Sequence, residues 1–282
     1  VTFLLLGCGY TARRVALRLA EGGHHVIATT RQPERLAALA RLGVSILPLE
    51  LTDQTSLAHL REAIPPGLRV LYSAPLLRAG SSWLDPTPDL VSTLRGRATR
   101  VVYLSSTGVY GATPQVDEST PPAPRTLREE LRLKAERSLT GGPWQSMVLR
   151  PAAIYGPGRG VHASIREGKY FLIGDGLNYI SRIHVDDLAA HAHAALLTDV
   201  EGAWPVADEE PCQAREIAAF CASLLNLPMP ASIDNPPSDD TRRANRRVDG
   251  SAIRRRLGVA LRYPSYRSGI PACLEQEAAG VR

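Results

Sequence analysis

One stretch at the start of the chain constrains its fold more than any other. Thr2–Leu6 is a short apolar run with the character of a strand buried on both faces, and it breaks at Gly7-Cys8-Gly9-Tyr10-Thr11-Ala12. A helical pattern follows, with Val15, Leu19 and the small Ala12, Ala16 and Ala20 on one side. Strand, G-x-G-x-x-A turn and helix, in that order, make a dinucleotide-binding fingerprint. Gly7 permits the tight turn, and Gly9 leaves room for a pyrophosphate against the backbone. Ala12 lets helix and strand pack closely, and the N–H groups of Cys8, Tyr10, Thr11 and Ala12 lie where the helix dipole favours phosphate.

The remaining numbers are those of an ordinary soluble protein. The 282 residues can build one or two domains, with 44% apolar and 22% charged residues and a net charge of +5. Mild basicity suits phosphate-bearing ligands without selecting one. Cys8, Cys212, Cys221 and Cys273 are scattered with no C-x-x-C pair, as expected for reduced, buried thiols and not for a zinc site or a disulfide framework. Leu5-Leu6-Gly7-Cys8 has the outline of a lipoprotein cleavage site, but its apolar run is too short and no basic segment precedes it. No stretch approaches the length of a membrane span, and a cytoplasmic protein is expected.

Further strands are expected at His25–Thr29, Val44–Leu49, Leu68–Ser73, Arg100–Leu104, Trp144–Arg150 and Ala203–Ala207, with helices at Pro33–Leu42 and Gln54–Ala63. Leu76–Leu90 reads as a loop bordering the site, followed by a short helix to Leu94. Such alternation implies an α/β fold, a doubly wound and mostly parallel sheet with ligands at the carboxyl ends of its strands. After the second strand, where NAD-preferring folds place an acid, the chain has Thr29-Thr30-Arg31. Arg31, with Arg35 as helper, suits the 2′-phosphate of NADP, with NAD the less favoured cofactor; the alternative is a solvated loop arginine. Asp53 either caps a helix or sits beside the adenine, and Ser73-Ala74 lies where the middle of the cofactor would pass. His24-His25 reads as a strand entry.

Five segments carry a more specific resemblance. Tyr103-Leu-Ser-Ser-Thr-Gly-Val-Tyr-Gly111, Asp117-Glu-Ser-Thr-Pro-Pro122, Leu149-Arg-Pro-Ala-Ala-Ile-Tyr-Gly-Pro-Gly158 and Gly174-Asp-Gly176 with Ile183-His-Val-Asp-Asp-Leu188 resemble the ordered motifs of the extended short-chain dehydrogenases, the NAD(P)-dependent epimerase/dehydratase family. Tyr263-Pro-Ser-Tyr-Arg267 is similar to the closing segment of an atypical bacterial subgroup that also carries GCGY. Together these cover most of residues 1–270. The resemblance implies a Rossmann sheet over residues 1–164 and 181–206 and a smaller substrate-side lobe over 165–180 and 207–282.

It also implies site residues. Ser106 corresponds to the family's active serine, Ser105 and Pro151 border the nicotinamide, and Arg182, near the HVDD block, corresponds to an arginine that binds substrate diphosphate. The Tyr-x-x-x-Lys pair does not carry over. In the frame ending at Glu136, Arg128 stands for the tyrosine and Arg132 for the lysine; a frame shifted by two gives Glu130 and Lys134. Arginine stays protonated, so Arg128 cannot relay a proton and is expected to touch substrate instead. Tyr110 and Tyr155 are the nearest substitutes in sequence, and Tyr110 is taken as the candidate acid.

The rest of the chain is less marked. Asp186 is expected to cap the helix Asp186–Leu197; His184, His191 and His193 invite a metal reading, but i,i+2 residues on one helix point apart, so no metal site is expected. Gln213–Asn226 is a further helix, and Leu227–Pro237 is irregular. Arg242, Arg243, Arg246, Arg247 and Arg254–Arg256 form a basic cluster without a nucleic-acid module.

Two functions follow. One is an NADP-dependent oxidoreductase or isomerase acting on a small carbonyl, hydroxyl or sugar-nucleotide-like substrate. The other is a cofactor-binding sensor or scaffold without chemistry. Expected partners are a small molecule, phosphate-bearing in one reading, and a second copy of the chain, but neither nucleic acid nor a membrane.

Overall fold

The pattern of the first strand decides the layering. In β1 (Thr2–Leu6), Phe3 and Leu5 enter one core and Leu4 and Leu6 another, and all four are at most 1% exposed. A strand with no solvated face belongs inside a sheet covered on both sides. The computed structural model describes residues 1–80, 82–234 and 243–280.

The first half runs β1, α1 (Ala12–Glu21), β2 (His25–Thr30), α2 (Ala37–Ala40), β3 (Ser45–Pro48), α3 (Gln54–Ala63), β4 (Leu68–Tyr72), β5 (Leu77–Ala79), β6 (Ser82–Leu84), α4 (Thr87–Leu94) and β7 (Ala98–Leu104). The second runs β8 (Gln115–Val116), α5 (Leu127–Thr140), β9 (Gln145–Pro151), β10 (Ala153–Tyr155), α6 (Val161–Arg166), β11 (Leu172–Ile173), β12 (Tyr179–Ile180), β13 (Arg182–His184), α7 (Val185–Leu197) and β14 (Gly202–Val206). β15 (Cys212–Gln213), α8 (Ala214–Leu225), β16 (Ser232–Ile233), β17 (Arg247–Val248), α9 (Ser251–Leu257) and α10 (Tyr266–Ala278) complete the described chain.

Seven parallel strands form the central sheet in the order β14-β9-β7-β4-β1-β2-β3. Helices α1 and α7 bury their apolar sides in one core, with Val15, Leu19, Leu188 and Leu196. Helices α3, α4 and α5 close the other face through Leu57, Leu90 and Leu139. This is the doubly wound Rossmann architecture. Its strand order reverses between β1 and β4, which opens a crevice at their carboxyl ends.

Several local expectations are corrected. Pro33–Leu42 is not one helix but a 3₁₀ turn over Pro33–Leu36 and the single turn of α2. Leu76–Leu90 is not an open loop: the antiparallel hairpin β5–β6 pairs Arg78 with Trp83, and α4 already starts at Thr87. The cap of α7 is His184, whose Nδ1 accepts the Asp186 N–H, because the Asp186 carboxylate is turned to Arg14 at 2.6 Å.

A smaller core joins α6, α8 and α10 through Ile165, Ile217, Cys221, Tyr266 and Ile270. The short ladders β11–β16 and β12–β15 border it. Beyond α8 the chain also returns to the large sheet. β17 pairs with β8, and Ile253 of α9 enters the core of the large sheet. Helix α10 then returns to the small core, where Gly269 packs so closely on Tyr155 that a methyl group would overlap the tyrosine hydroxyl. Of the basic cluster, Arg242 lies outside the described residues, Arg246 is buried with its guanidinium on the Thr113 and Gly111 carbonyls, and Arg254 pairs with Glu209.

Candidate functional site

The crevice begins at the turn after β1. Gly7 has φ +78°, and a Cβ there would stand 3.0 Å from Ala74, so the turn tolerates no side chain. Ser73 Oγ donates to the Gly7 carbonyl at 2.8 Å, which fixes the exit of β4 against the turn. The Gly7 and Cys8 N–H groups are spent on Thr29, through its Oγ1 at 3.1 Å and its carbonyl at 2.8 Å. Cys8 is buried, and burial pushes its thiol up to about 12, so it is an inert packing residue. Among the described residues no backbone carbonyl takes the N–H of Tyr10, Thr11 or Ala12. These three groups lie at the amino end of α1, next to Gly9, which is exposed and whose added Cβ would meet only the Gly7 carbonyl, at 3.8 Å. A backbone cradle with free donors and no side chain in the way fits a pyrophosphate. Ala12 is fully buried under the helix, as close packing requires.

The other side of the cradle is built by Tyr10. Its hydroxyl donates to the Pro157 carbonyl at 2.9 Å, and the Arg14 and Arg159 guanidinium carbons lie 4.6 and 5.4 Å from its ring centroid. The phosphate turn is thereby tied to the Gly156-Pro157-Gly158 segment. Arg31, just past β2, is exposed, and among the described residues its side chain has no hydrogen bond or ion pair, nor has that of Arg35. Asp53 caps α3, accepting the Thr55 N–H at 3.0 Å.

At the end of β7, Ser106 caps the following 3₁₀ turn by accepting the Gly108 N–H at 3.1 Å and stays half-buried at the cleft. Ser105 points the other way, with its hydroxyl on Glu136. Glu136 also receives Arg150 through Nη2 at 2.6 Å and through Nε. Burial opposes the charge of Arg150, but Glu136 holds its pKa above the ordinary value. Tyr110, the candidate acid, belongs to this buried knot. It is 1% exposed, its hydroxyl takes Arg150 Nη1 at 3.2 Å, and burial raises its pKa despite Arg150. Tyr155 is likewise buried, with its hydroxyl on the Ser265 carbonyl, and burial raises it further. Glu136 and Arg150 each stood within a recognised motif, but their partnership spans separate segments and is not a spacing that sequence can show.

Helix α5 gives the two frames of its motif different surroundings. Thr126 caps it in a capping box with Glu129, and Arg132 and Glu136 turn inward while Glu130 and Lys134 are exposed. Arg132 Nη1 donates to the Tyr103 hydroxyl at 3.1 Å. Tyr103 stacks on Tyr72, with centroids 5.1 Å apart, beneath the crevice. Burial raises the Tyr103 pKa, and Arg132 offsets this only in part. At the rim, Arg128 lies 5.1 Å from the Trp83 ring centroid and Arg78 lies 4.8 Å from it. Trp83 and Arg78 escaped sequence reading; the alternation of Leu77-Arg78-Ala79 and Ser82-Trp83-Leu84 was their only signal.

Arg182, the candidate diphosphate ligand, is held within the protein. It is 4% exposed, and Nη1 donates to the Ile180 carbonyl at 2.7 Å and to Cys212 Sγ at 3.1 Å. Neither Asp186 nor Asp187 pairs with it: Asp187 accepts the N–H groups of Arg262 and Tyr263 at 2.8 and 3.0 Å. Asp208 is buried nearby, and burial pushes its carboxyl up to about 8 against the pull of Arg182. His184 contacts Cys273 Sγ at 3.4 Å, and His191 bonds the Asp187 carbonyl at 2.7 Å. Among the described residues no group of three or more His, Cys, Asp or Glu could hold a metal ion, and no helix is long and apolar enough to cross a membrane.

Comparison with known proteins agrees with this geometry. The family model for the NAD dependent epimerase/dehydratase family matches residues 3–206. Protein YeeZ of Escherichia coli is 27% identical over 276 residues, covering 92% of this chain and 95% of that protein. A 3-diazoavenalumate denitrifying reductase from a Streptomyces species is 27% identical over 243 residues, covering 75% and 77%. A solved structure of a functionally unknown conserved protein from Silicibacter pomeroyi superposes with a TM-score of 0.78 at 33% identity, covering 99% of both chains. With its cradle, its Ser105-Ser106 turn and a match that spans the whole Rossmann sheet, this chain belongs to the NAD dependent epimerase/dehydratase family.

Proposed function

We propose that this protein is an NADP-dependent reductase of a small electrophile whose reduction needs no tyrosine as general acid. One observation supports the proposal: α5 carries Arg128, Arg132 and Glu136 on successive turns, with Glu136 on Ser105 and Arg132 on Tyr103, which puts two fixed cations in the frame where a Tyr-x-x-x-Lys couple would move a proton. An epimerase or dehydratase must take protons from substrate and return them, which guanidinium groups do not do. A reduction in which hydride displaces a neutral leaving group has no such requirement. The Streptomyces relative is named for a reduction that removes nitrogen from a diazo compound.

In this reading the N–H groups of Tyr10, Thr11 and Ala12 hold the pyrophosphate, beside Gly7, Cys8 and Gly9. Arg31, helped by Arg35, takes the 2′-phosphate. Ser73 and Ala74 flank the middle of the cofactor, while Ser105 and Pro151 shape the nicotinamide end. Asp53 keeps to its helix cap. When bound, the reduced nicotinamide supplies hydride. Ser106 orients the reacting group by hydrogen bonding, and Arg128 holds the substrate by charge. The internal bonds of Arg182 and Tyr110 favour one other reading, a cofactor-binding sensor that kept the pocket and lost the chemistry.

Stopped-flow absorbance of NADPH, mixed with protein and an aryl diazo acid, a ketone or a sugar nucleotide, separates the two. The reductase reading expects turnover of the diazo acid that falls about 10²-fold or more in Ser106→Ala and Arg128→Gln. Tight NADPH binding with no turnover of any of the three would favour the sensor.

A further inference from the structure

We propose that Glu277, in the closing helix α10, is a positioning residue for the cofactor cradle: its carboxylate fixes the Pro157–Gly158 peptide, and that peptide holds Tyr10 of the phosphate turn. Its effect on nucleotide affinity rests on the reading proposed above, whereas the link itself is a matter of geometry.

The stripe of α10 that faces the small core runs through Tyr266, Ile270 and Cys273, and Glu277 is the next position along it. An acid on such a stripe must find donors. Glu277, whose side chain is only 11% exposed, finds three of them on the segment that leaves β10. Its Oε1 accepts the Gly158 N–H at 2.5 Å and lies 3.2 Å from His162 Nε2, and its Oε2 accepts Arg166. An ionised carboxylate can only accept, so the fully buried His162 donates through Nε2. Burial opposes the charge of Glu277, but the Gly158 N–H, Arg166 and His162 hold its carboxyl below the ordinary value.

Pro157 and Gly158 share one peptide unit. Its N–H goes to Glu277, and its carbonyl accepts the Tyr10 hydroxyl at 2.9 Å. The unit is planar, so holding one end sets the direction of the other. A carboxylate on the N–H also polarises the amide and makes its oxygen a better acceptor for Tyr10. There is little room for slippage, because a methyl group on Gly156 would overlap the Tyr10 hydroxyl and Val185. Tyr10 in turn carries one of the three cradle N–H groups that no backbone carbonyl takes among the described residues. A displacement of about 1 Å at such a donor weakens the contact it makes, so a link that pins Tyr10 bears on phosphate binding.

Hydrogen exchange tests the link and calorimetry its effect on nucleotide. The Arg13, Arg14 and Val15 amides close the first turn of α1 on Gly9 and Thr11. Without nucleotide, their exchange is expected to quicken about tenfold in Glu277→Ala and in Tyr10→Phe. Glu277→Gln keeps an oxygen for the Gly158 N–H and is expected to restore most of the protection. Quickening confined to α10 in Glu277→Ala, or a Gln variant as fast as the Ala variant, would overturn the link and leave Glu277 a mere anchor of its helix. NADPH is expected to bind Glu277→Ala and Tyr10→Phe each about tenfold more weakly than the wild type, and the double variant little more weakly than either. Wild-type affinity in Glu277→Ala, or losses that multiply in the double variant, would overturn the positioning role. Quickened exchange in both variants, with no nucleotide bound by the wild type, would instead sink the cofactor reading and keep the link.

Discussion

Arg132 Nη1 donates to the Tyr103 hydroxyl at 3.1 Å, and both groups are buried. A cation at the lysine position of the helix thus meets a tyrosine from the end of β7, not one from its own helix. It acts as a lock between α5 and the sheet. Arg132→Met is expected to leave the Tyr103 hydroxyl buried and unpaired and to destabilise the fold by about 1–3 kcal/mol. Tyr103→Phe in the same background should recover part of that loss. Urea denaturation of the two variants checks both expectations.

The Glu136–Arg150 pair supports the Ser105 side of the crevice from within the protein. Removing one partner leaves an uncompensated buried charge. Glu136→Gln and Arg150→Met are each expected to lower stability by about 3–5 kcal/mol. The double variant should lose less than the sum of the singles, because neither charge is then stranded. A double-mutant cycle by chemical denaturation measures the coupling.

Asp208 gives a pH dependence of definite sign. Its carboxyl titrates near 3.8 when unfolded and is pushed up to about 8 in the fold, chiefly by burial and despite Arg182. Between those values the folded chain holds the proton more firmly, so this residue makes stability fall as pH rises from about 4 to about 8. Burial pushes His184 and His191 down to about 4, so they act oppositely: their stabilisation is full above the unfolded value of 6.5 and is lost as pH falls below it. Asp208→Asn is expected to raise the unfolding temperature at the alkaline end and to make little difference near pH 4. Thermal scans across that range test it; an equal effect of the substitution at all pH values would contradict it.

Much of the fold was legible because its marks are local. Thr2–Leu6 and the glycine turn state their structure within a dozen residues, and Asp53 before Gln54–Ala63 is a helix start that tertiary structure had no reason to change. The hairpin around Trp83 was hidden by Pro75, Gly80 and the serines, which read as loop until the chain pairs Arg78 with Trp83. Helix α10 was hidden by Pro271, a breaker by composition that the helix Tyr266–Ala278 accommodates.

The site was legible in its types of residue and less so in their orientation. Gly9, Arg31 and Ser106 remain open to a ligand. Tyr110 and Arg182 are held inside the protein, Tyr110 on Arg150 and Arg182 on Cys212. Which face a polar residue of an irregular segment takes is decided by its burial partners, and those come from distant parts of the chain.

Gly9 allows the cradle to be tested apart from folding. A Cβ at this position meets nothing in the protein closer than 3.8 Å, whereas one at Gly7 strains a left-handed turn against Ala74. Gly7→Ala is therefore expected to destabilise the protein by more than about 1 kcal/mol. Gly9→Ala should fold like the wild type and bind dinucleotide at least about tenfold more weakly.

The most direct test of the account is calorimetric titration of NADPH and NADH into the wild type and Arg31→Ala. NADPH is expected to bind the wild type more tightly than NADH, and Arg31→Ala to lose about tenfold or more in NADPH affinity with NADH nearly unchanged. Heat of binding from neither nucleotide would contradict the account at its base, and equal losses for both would contradict the role of Arg31.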